Sequence, residues 1–205
     1  MTTQTTATDT RELIVVSAFA CFRREGLAKT TMVDVARSAR VSRSTVYDYF
    51  RDKSALVEAC AEYTSQRFYR EMATAIAQGD SLEDKLCRAA VFVTRARRIV
   101  EPEKYFDEDE VGLLLTKNAG VLLRECVEFL APYIAAAKLT GEVRKDLDVA
   151  AAGEWFARML FSLFSTPSLT LDMDDAEVVS EFVRAHLVRG FGAHRTGSSR
   201  RAVSS

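Results

Sequence analysis

Apolar residues recur at intervals of three and four along most of this chain, a spacing typical of amphipathic α-helices. The first such stripe is formed by Ile14, Val15, Ala18, Cys21 and Phe22. Gly26 follows it, at a position where helices commonly end. No stretch shows the alternation of apolar and polar residues that a half-buried strand requires. The pattern therefore predicts an all-α protein.

The stretch "TTMVDVARSARVSRSTVYDYFRDKSAL" predicts two short helices joined by a tight turn. Thr31 is suited to cap the first helix, over residues 32–39, because Asp34 can complete a capping box with it. Ser42 is suited to cap the second helix, which runs to about Tyr49. Two short helices at this spacing form a helix-turn-helix unit, whose second helix can lie in the major groove of DNA.

The rest of the chain is predicted to form longer helices. Their approximate ranges are 53–78, 81–100, 105–116, 118–139, 148–165 and 174–191. Pro132 falls inside one of them and should kink it, which either opens space for a ligand or only sets the shape of the helix. Residues 1–9 and 192–205 are polar, and we expect both tails to be disordered.

Composition argues against membrane and secreted proteins. The longest uncharged run, residues 159–171, is too short to cross a bilayer, and the N-terminus lacks the basic and apolar segments of a secretory signal. Four cysteines, at positions 21, 60, 87 and 126, show no CxxC spacing. We expect them to be reduced, buried thiols of a cytoplasmic protein that has no membrane partner.

A net charge of −1 conceals an uneven distribution of charge. Residues 1–53 contain nine Lys and Arg against six Asp and Glu, a net charge of +3. Residues 54–191 contain sixteen against twenty-three, a net charge of −7. A basic end on an acidic body indicates a polyanion as the partner of the basic end.

Side chains in the helix-turn-helix stretch suit contacts with DNA phosphates. Thr30, Thr31 and Ser42 lie at helix starts, where free backbone N–H groups favour an anion. Lys53 adds a cation at the start of the next helix. A tyrosine phenol, such as that of Tyr49, can donate a hydrogen bond to a phosphate while its ring packs on a sugar.

The first turn of the second short helix holds residues suited to bases. Arg43 and Ser44 occupy this turn, which is the part of such a helix that meets base edges. An arginine can donate two hydrogen bonds to O6 and N7 of guanine. Tyr47 lies one turn further along the same helix.

The motif resembles the DNA-binding signature of the tetracycline-repressor (TetR) family of bacterial transcriptional regulators. The resemblance covers residues 11–57 and rests on "AFACFRREG", the "TT" and "VS" before the two short helices, "VYDYF", and a lysine three residues after that Phe. "GEVRKDLDVAAAGEWFARMLFSLFSTP" is similar, more weakly, to the penultimate helix region of many members.

This resemblance implies an all-α homodimer that binds double-stranded DNA. Its three-helix DNA-binding domain would span residues 10–52, and a larger helical domain for ligand binding and dimerisation would span residues 53–191. By the family pattern the base contacts are Arg43, Ser44 and Tyr47, and the phosphate contacts are Thr30, Thr31, Ser42, Tyr49 and Lys53. The role of Thr45 stays open, and Asp48 either accepts a hydrogen bond from cytosine or disfavours wrong sites.

Arg40 departs from the family pattern, which usually has glycine in this turn. The position commonly needs a left-handed backbone, which costs a non-glycine residue roughly 1 kcal/mol. We expect the turn to keep its shape and to tolerate the strain, because its apolar anchors are in place. These anchors are Val35, Ala39, Val41 and Val46.

The larger domain is expected to hold a mainly apolar cavity for a small effector, unknown and hydrophobic in character. Candidate lining residues are Phe68, Tyr69, Met72, Phe92, Tyr105, Phe106, Leu114, Phe129, Tyr133 and Trp155. Any one of them is more often plain core. The last two helices are the expected dimer surface, with candidates Trp155, Met159, Phe182, Ala185, His186 and Arg189. Trp155 suits the pocket and the interface equally.

The sequence therefore predicts a ligand-responsive dimeric regulator that binds a pseudo-palindromic operator. A repressor is the favoured kind of regulator. The alternative is an architectural DNA-binding protein that has no ligand, a filled larger domain and little sequence preference. An enzyme is disfavoured because the chain lacks the HExxH, GxSxG, P-loop and GxGxxG motifs. Its cysteines and carboxylates lack metal-ligand spacing, so neither a metal nor a cofactor is expected.

Overall fold

A computed structural model of the chain describes residues 3–100, 119–187 and 191. Side chains are described for residues 10–96, 119–186 and 191. The predicted helix at 105–116 lies outside the described residues. So do Tyr105, Phe106, Leu114 and Arg189. Within the described ranges the regular structure is helical and contains no strand, which confirms the predicted fold class.

The described helices follow the predicted order. They are α1 (Thr3–Glu25), α2 (Met32–Ala39), α3 (Arg43–Tyr49), α4 (Lys53–Ala77), α5 (Leu82–Val100), α6 (Ala119–Thr140), α7 (Val149–Ser165), α8 (Ala176–Phe182) and a π-helix (Val183–Leu187). Gly26 and Gly141 follow α1 and α6 with φ angles of 85° and 78°. Both glycines stop a helix where the sequence predicts a stop.

The first and last helices differ from their predictions. α1 begins at Thr3, whereas the pattern predicts a disordered segment up to residue 9. Apolar periodicity marks the buried part of a helix, which here begins at Ile14, and does not show where the helix itself starts. At the other end, α8 begins after Asp175 and passes into the π-helix, whereas the pattern predicts one helix from residue 174 to residue 191.

The described chain divides into two compact units. The first contains the residues up to Ala73 together with residues 98–100, and the second contains residues 74–97 together with those from 119 onward. α4 begins in the first unit, and its last residues belong to the second. The predicted domain boundary at residues 52 and 53 stays a prediction.

The core of the first unit joins α1, α2, α3 and the start of α4. Its buried members are Ile14, Val15, Ala18, Cys21, Met32, Val35, Ala36, Ala39, Val46, Phe50, Leu56, Ala59 and Cys60. The short helices bury few residues each, so their positions depend on this shared core. The guanidinium of Arg11 lies 5.3 Å from the ring centroid of Phe50, at the edge of the core.

In the second unit α6 packs against α7. Gly153 lies at this contact, where a Cβ would meet Cγ1 of Val127 on α6 at 3.5 Å, an ordinary van der Waals distance. Leu130 and Ile134 of α6 and Phe156 of α7 are buried. The backbone N–H of Leu82, at the start of α5, donates to the carboxylate of Glu142.

All four cysteines are buried and outside any disulfide, as the sequence predicts. Burial raises the pKa of the Cys60 thiol to about 12 and that of the Cys87 thiol to about 11. These thiols therefore stay protonated near neutral pH and are weak nucleophiles. None of the described helices combines the length and apolar character needed to cross a membrane.

Candidate nucleic-acid interface

A complete capping box starts α2, as predicted. The hydroxyl of Thr31 accepts a hydrogen bond from the backbone N–H of Asp34 at 3.3 Å, and the backbone N–H of Thr31 donates to the Asp34 carboxylate at 3.0 Å. The hydroxyl of Thr31 also donates to that carboxylate at 2.5 Å. This hydroxyl is the main cause that lowers the pKa of Asp34, ahead of the backbone N–H.

The guanidinium of Arg37 pairs with the Asp34 carboxylate at 3.1 Å. Arg37 lies one turn after Asp34 on α2, and its side chain is 74% exposed. Arg37 is not among the contacts predicted from sequence, although an acid and a base three positions apart on a helix signal such a pair. Arg37 thus adds an exposed cation beside the helix-turn-helix turn.

The turn between α2 and α3 has the left-handed backbone predicted for Arg40. Its φ and ψ are 55° and 37°. The N–H of Arg40 donates to the carbonyl of Arg37 at 3.2 Å, and the N–H of Val41 donates to that of Ala36 at 3.1 Å. These two bonds form a Schellman motif, which ends α2 and aims the chain toward α3.

Ser42 caps α3 and links three hydroxyl groups. Its hydroxyl accepts a hydrogen bond from the backbone N–H of Thr45 at 3.0 Å. It also shares hydrogen bonds with the hydroxyls of Ser44, at 2.7 Å, and of Thr45, at 2.8 Å. A small hydroxyl network therefore covers the first turn of α3, where a recognition helix approaches base edges.

α3 has a buried face and an exposed face. Val46 is fully buried and Phe50, just after the helix, is 3% exposed. On the opposite face Arg43, Ser44, Tyr47 and Asp48 are exposed. The predicted base-contact residues thus share the outward surface of a helix whose inward side is anchored in the core.

Two of these outward residues contact each other. The guanidinium carbon of Arg43 lies 5.4 Å from the ring centroid of Tyr47, within the range of a cation–π contact. Among the described residues, Arg43 has no carboxylate at ion-pair distance, whereas Arg37 and Arg51 pair with neighbouring aspartates. The arginine best placed for bases is therefore held by a ring and not by an acid.

One predicted phosphate contact needs correction. The side chain of Thr30 is 1% exposed, and its hydroxyl donates to the carbonyl of Gly26 at 2.9 Å. The backbone N–H of Thr30 donates to the same carbonyl at 3.2 Å. Both donors therefore close the turn after α1, and a phosphate cannot reach the Thr30 hydroxyl in this conformation. The spacing of the motif carries no signal of this burial.

The remaining predicted phosphate contacts differ in exposure. Thr31 and Ser42 are exposed, although both hydroxyls already take part in caps. Tyr49 is half-buried, and its ring packs against the core of the first unit, in contrast to the outward Tyr47. Lys53 is half-buried, and its ammonium donates to the carbonyl of Ala28 at 3.4 Å.

The predicted pocket residues in the first unit are Phe68, Tyr69 and Met72 on α4. Met72 is fully buried, whereas Phe68 and Tyr69 are half-buried. The rings of Phe68 and Tyr69 meet edge to face, with 5.4 Å between their centroids. A pocket role for these residues stays a prediction.

In the second unit Phe92, Phe129 and Tyr133 are half-buried. Phe129 and Tyr133 are one turn apart on α6, and their ring centroids are 5.6 Å apart. Trp155 on α7 is 42% exposed, which leaves a large apolar surface open in this single chain. Exposure of this kind suits an interface at least as well as a pocket.

The other predicted interface residues lie on α7, α8 and the π-helix. Met159, Phe182 and Ala185 are half-buried, and His186 is exposed. The rings of Phe182 and His186 lie 5.2 Å apart. Their participation in a dimer stays a prediction.

Residues 14–60 match the model of the family that is described as "Bacterial regulatory proteins, tetR family". The chain is 27% identical over 159 residues to the protein named "Probable HTH-type transcriptional regulator ArpR" of Pseudomonas putida, covering 72% of this chain and 74% of ArpR. It is 26% identical over 158 residues to the HTH-type transcriptional regulator TtgR, also of Pseudomonas putida, covering 71% of this chain and 74% of TtgR.

Solved structures share the fold. The structure of RolR in complex with its ligand resorcinol superimposes with a TM-score of 0.60 at 16% identity, covering 93% of this chain and 91% of RolR. The matched stretch of the family model contains α2, α3 and the anchors that orient them. The family resemblance found in the sequence is thereby confirmed.

Proposed function

We propose that this chain, whose residues 14–60 match the TetR family of bacterial regulatory proteins, is a cytoplasmic, homodimeric and ligand-responsive repressor of transcription. In this proposal the dimer binds a pseudo-palindromic operator, and a small effector changes its affinity for that operator. The chain has no catalytic role. Its partners are double-stranded DNA, a second copy of itself and the effector.

The observation that carries this proposal is the division of α3 into two faces. Val46 is fully buried in the core, which fixes the orientation of the helix. Arg43, Ser44 and Tyr47 project from the exposed face. Arg43 can donate to O6 and N7 of guanine, while Ser44 and Tyr47 can contact either a base edge or the adjacent backbone.

Phosphate contacts hold the helix in register but do not read sequence. We assign them to Thr31, Ser42, Tyr49 and Lys53. Ser42 and Lys53 are the best suited of these. The Ser42 hydroxyl accepts the capping N–H and can turn its proton from the neighbouring hydroxyls of Ser44 and Thr45 to a phosphate. The ammonium of Lys53 has three N–H groups, one of which meets Ala28.

A dimer follows from the geometry of DNA. Helix-turn-helix dimers place two recognition helices about 34 Å apart, in successive major grooves on one side of the duplex. We assign the interface to α7, α8 and the π-helix, with the exposed Trp155 of α7 as a central contact. Two copies related by a two-fold axis would then bury the same surface on each protomer.

The effector is proposed to be small and mainly apolar or aromatic. The half-buried rings of Phe92, Phe129 and Tyr133 in the second unit favour such chemistry. RolR, which shares the fold, was solved with resorcinol, an aromatic ligand. An effector that shifts α4 would change the spacing of the two recognition helices, and a coupling of roughly 1–3 kcal/mol would change operator affinity about 5- to 150-fold.

The first test is a footprint of the purified chain on the DNA upstream of its own gene, at two salt concentrations. We expect a protected pseudo-palindrome whose protection weakens with salt. Arg43→Ala should weaken binding by about 1–3 kcal/mol in each half-site and relax the preference for one base pair there. Arg124→Ala, which removes an exposed arginine of α6, is the matched control and should leave the footprint unchanged.

If the upstream region shows no protection, selection of bound sequences from random DNA tests whether the chain prefers any DNA sequence. A selected palindrome would support a sequence-specific regulator whose operator lies elsewhere. Binding without any selected sequence, in a chain that also binds no apolar ligand, would favour the architectural alternative. Binding to DNA that Arg43→Ala leaves unchanged would contradict the assignment of α3 as the reading helix.

A further inference from the structure

Arg40 occupies a backbone conformation that L-residues avoid. Among the residues that the structure describes, it is the one non-glycine residue with a positive φ angle. In this conformation the Cβ of an L-residue crowds the following carbonyl oxygen, and glycine escapes this strain. The turn is therefore less stable with Arg40 than it would be with glycine.

The fold makes no use of the Arg40 side chain. The residue is exposed, and in the described part of the chain its guanidinium has neither a hydrogen bond nor an ion pair. The bond that closes the turn comes from its backbone N–H, which donates to the carbonyl of Arg37 at 3.2 Å. A glycine would make the same bond. The strain is thus not offset by any hydrogen bond or ion pair of this side chain within the described part.

The position of Arg40 suggests what offsets the strain. It lies between α2 and α3, two residues before Ser42 and three before Arg43, on the part of the chain that leads into the proposed recognition helix. Arg37 is held by Asp34, and Arg43 is held over Tyr47. Of these three arginines, Arg40 is the one whose guanidinium is fully available to an external anion.

We propose that the guanidinium of Arg40 binds a phosphate of the DNA backbone beside the bases that α3 reads. The contact deepens the proposed function and rests on it. It adds affinity that does not depend on base sequence, and it helps to set the register of α3 in the groove. The strained turn is the cost of placing a cation where the family usually has glycine.

Three variants separate strain from charge. Arg40→Gly removes both, Arg40→Gln removes the charge and keeps the strain, and Arg40→Lys keeps both the charge and the strain. We expect the melting temperature of Arg40→Gly to rise by about 2–4 °C, with those of the other two close to the wild-type value. The proposal therefore predicts that Arg40→Gly is more stable than the wild type but binds DNA more weakly.

DNA affinity is measured for the full chain on a selected operator and on a scrambled duplex, from about 50 to about 200 mM salt. The dimer places one such contact in each half-site, so each variant removes two contacts. This should reduce the slope of log affinity against log salt by about 1.8, so the loss of affinity over this range becomes about tenfold smaller. Arg40→Gly and Arg40→Gln should both show this change, on both duplexes. Arg40→Lys should keep most of the slope.

Two results would overturn the phosphate contact while the proposed function survives. One is wild-type affinity and salt slope in both Arg40→Gly and Arg40→Gln. The other is a loss confined to the operator, which would make Arg40 a base-reading residue. Failure of the proposed function looks different, because the wild-type chain itself would then show no preference for the operator over the scrambled duplex.

Discussion

The guanidinium carbon of Arg43 lies 5.4 Å from the ring centroid of Tyr47, one helical turn further along α3. A cation–π contact pairs the guanidinium with the face of the ring and takes up none of its N–H groups in a conventional hydrogen bond, so these remain for the two bonds to guanine. The contact with Tyr47 therefore restricts the motion of Arg43 and leaves its base-reading donors free. A restricted arginine loses less conformational entropy when it binds.

This relationship predicts different effects for two substitutions of Tyr47. Tyr47→Phe keeps the ring and should keep the base preference at the Arg43 position. Tyr47→Ala removes the ring and should reduce discrimination there about 2- to 5-fold, the range expected for an exposed cation–π contact. Selection from a DNA library randomised at one base pair measures this discrimination.

The control for the Tyr47 prediction is the same pair of variants in an Arg43→Ala background. Without the guanidinium there is no cation–π contact with the ring, so the two variants should no longer differ in discrimination at that base pair. A difference that persists would mean that the ring acts on DNA directly. Equal behaviour of Tyr47→Phe and Tyr47→Ala in the wild-type background would contradict the positioning role.

The Thr30 hydroxyl is predicted to serve stability and not DNA binding. Thr30→Val keeps the shape of a buried side chain but removes the hydrogen bond to the Gly26 carbonyl. We expect it to lower the free energy of unfolding by about 1 kcal/mol and to leave operator affinity unchanged where the protein is fully folded. Urea unfolding and a binding titration measure the two quantities. Thr30→Ser, which keeps the hydroxyl, is the control.

Asp34 should make stability depend on pH in the acid range. Hydrogen bonds from Thr31 hold the pKa of this carboxyl below its usual value of 3.8. The stabilising contribution of Asp34 is therefore fully present above the unfolded-state pKa and is lost as the pH falls through the lower, folded-state pKa. The difference in melting temperature between wild type and Asp34→Asn should shrink as the pH falls from about 6 to about 3. A constant difference would rule this out.

Gly153 offers a site where a substitution should stabilise the second unit. A Cβ there would meet Cγ1 of Val127 at 3.5 Å and Cδ1 of Ile134 at 3.8 Å, which are ordinary van der Waals distances. Gly153→Ala should therefore raise the free energy of unfolding by up to about 1 kcal/mol through helix propensity. Gly153→Leu should lower it, because its larger side chain has no room between α6 and α7. Urea unfolding of both variants tests the packing.

Sequence alone predicted the features that depend on neighbours along the chain. The caps at Thr31 and Ser42, the stop at Gly26 and the left-handed Arg40 are all confirmed. Each involves hydrogen bonds or steric contacts that close within a few residues, so the residue type at a fixed spacing is sufficient to predict it. The same local signals carry the family resemblance.

Tertiary contacts select which of these residues are available to a partner. Thr30 and Thr31 are adjacent and chemically identical, yet only Thr31 is exposed. Tyr47 and Tyr49 lie on one short helix, yet Tyr49 packs against the core and Tyr47 does not. Helical periodicity fixes the direction in which each side chain leaves the axis of its helix. Whether a side chain in that direction is buried depends on contacts with α1 and α4. These contacts join residues distant in sequence and therefore leave no signal at a fixed spacing.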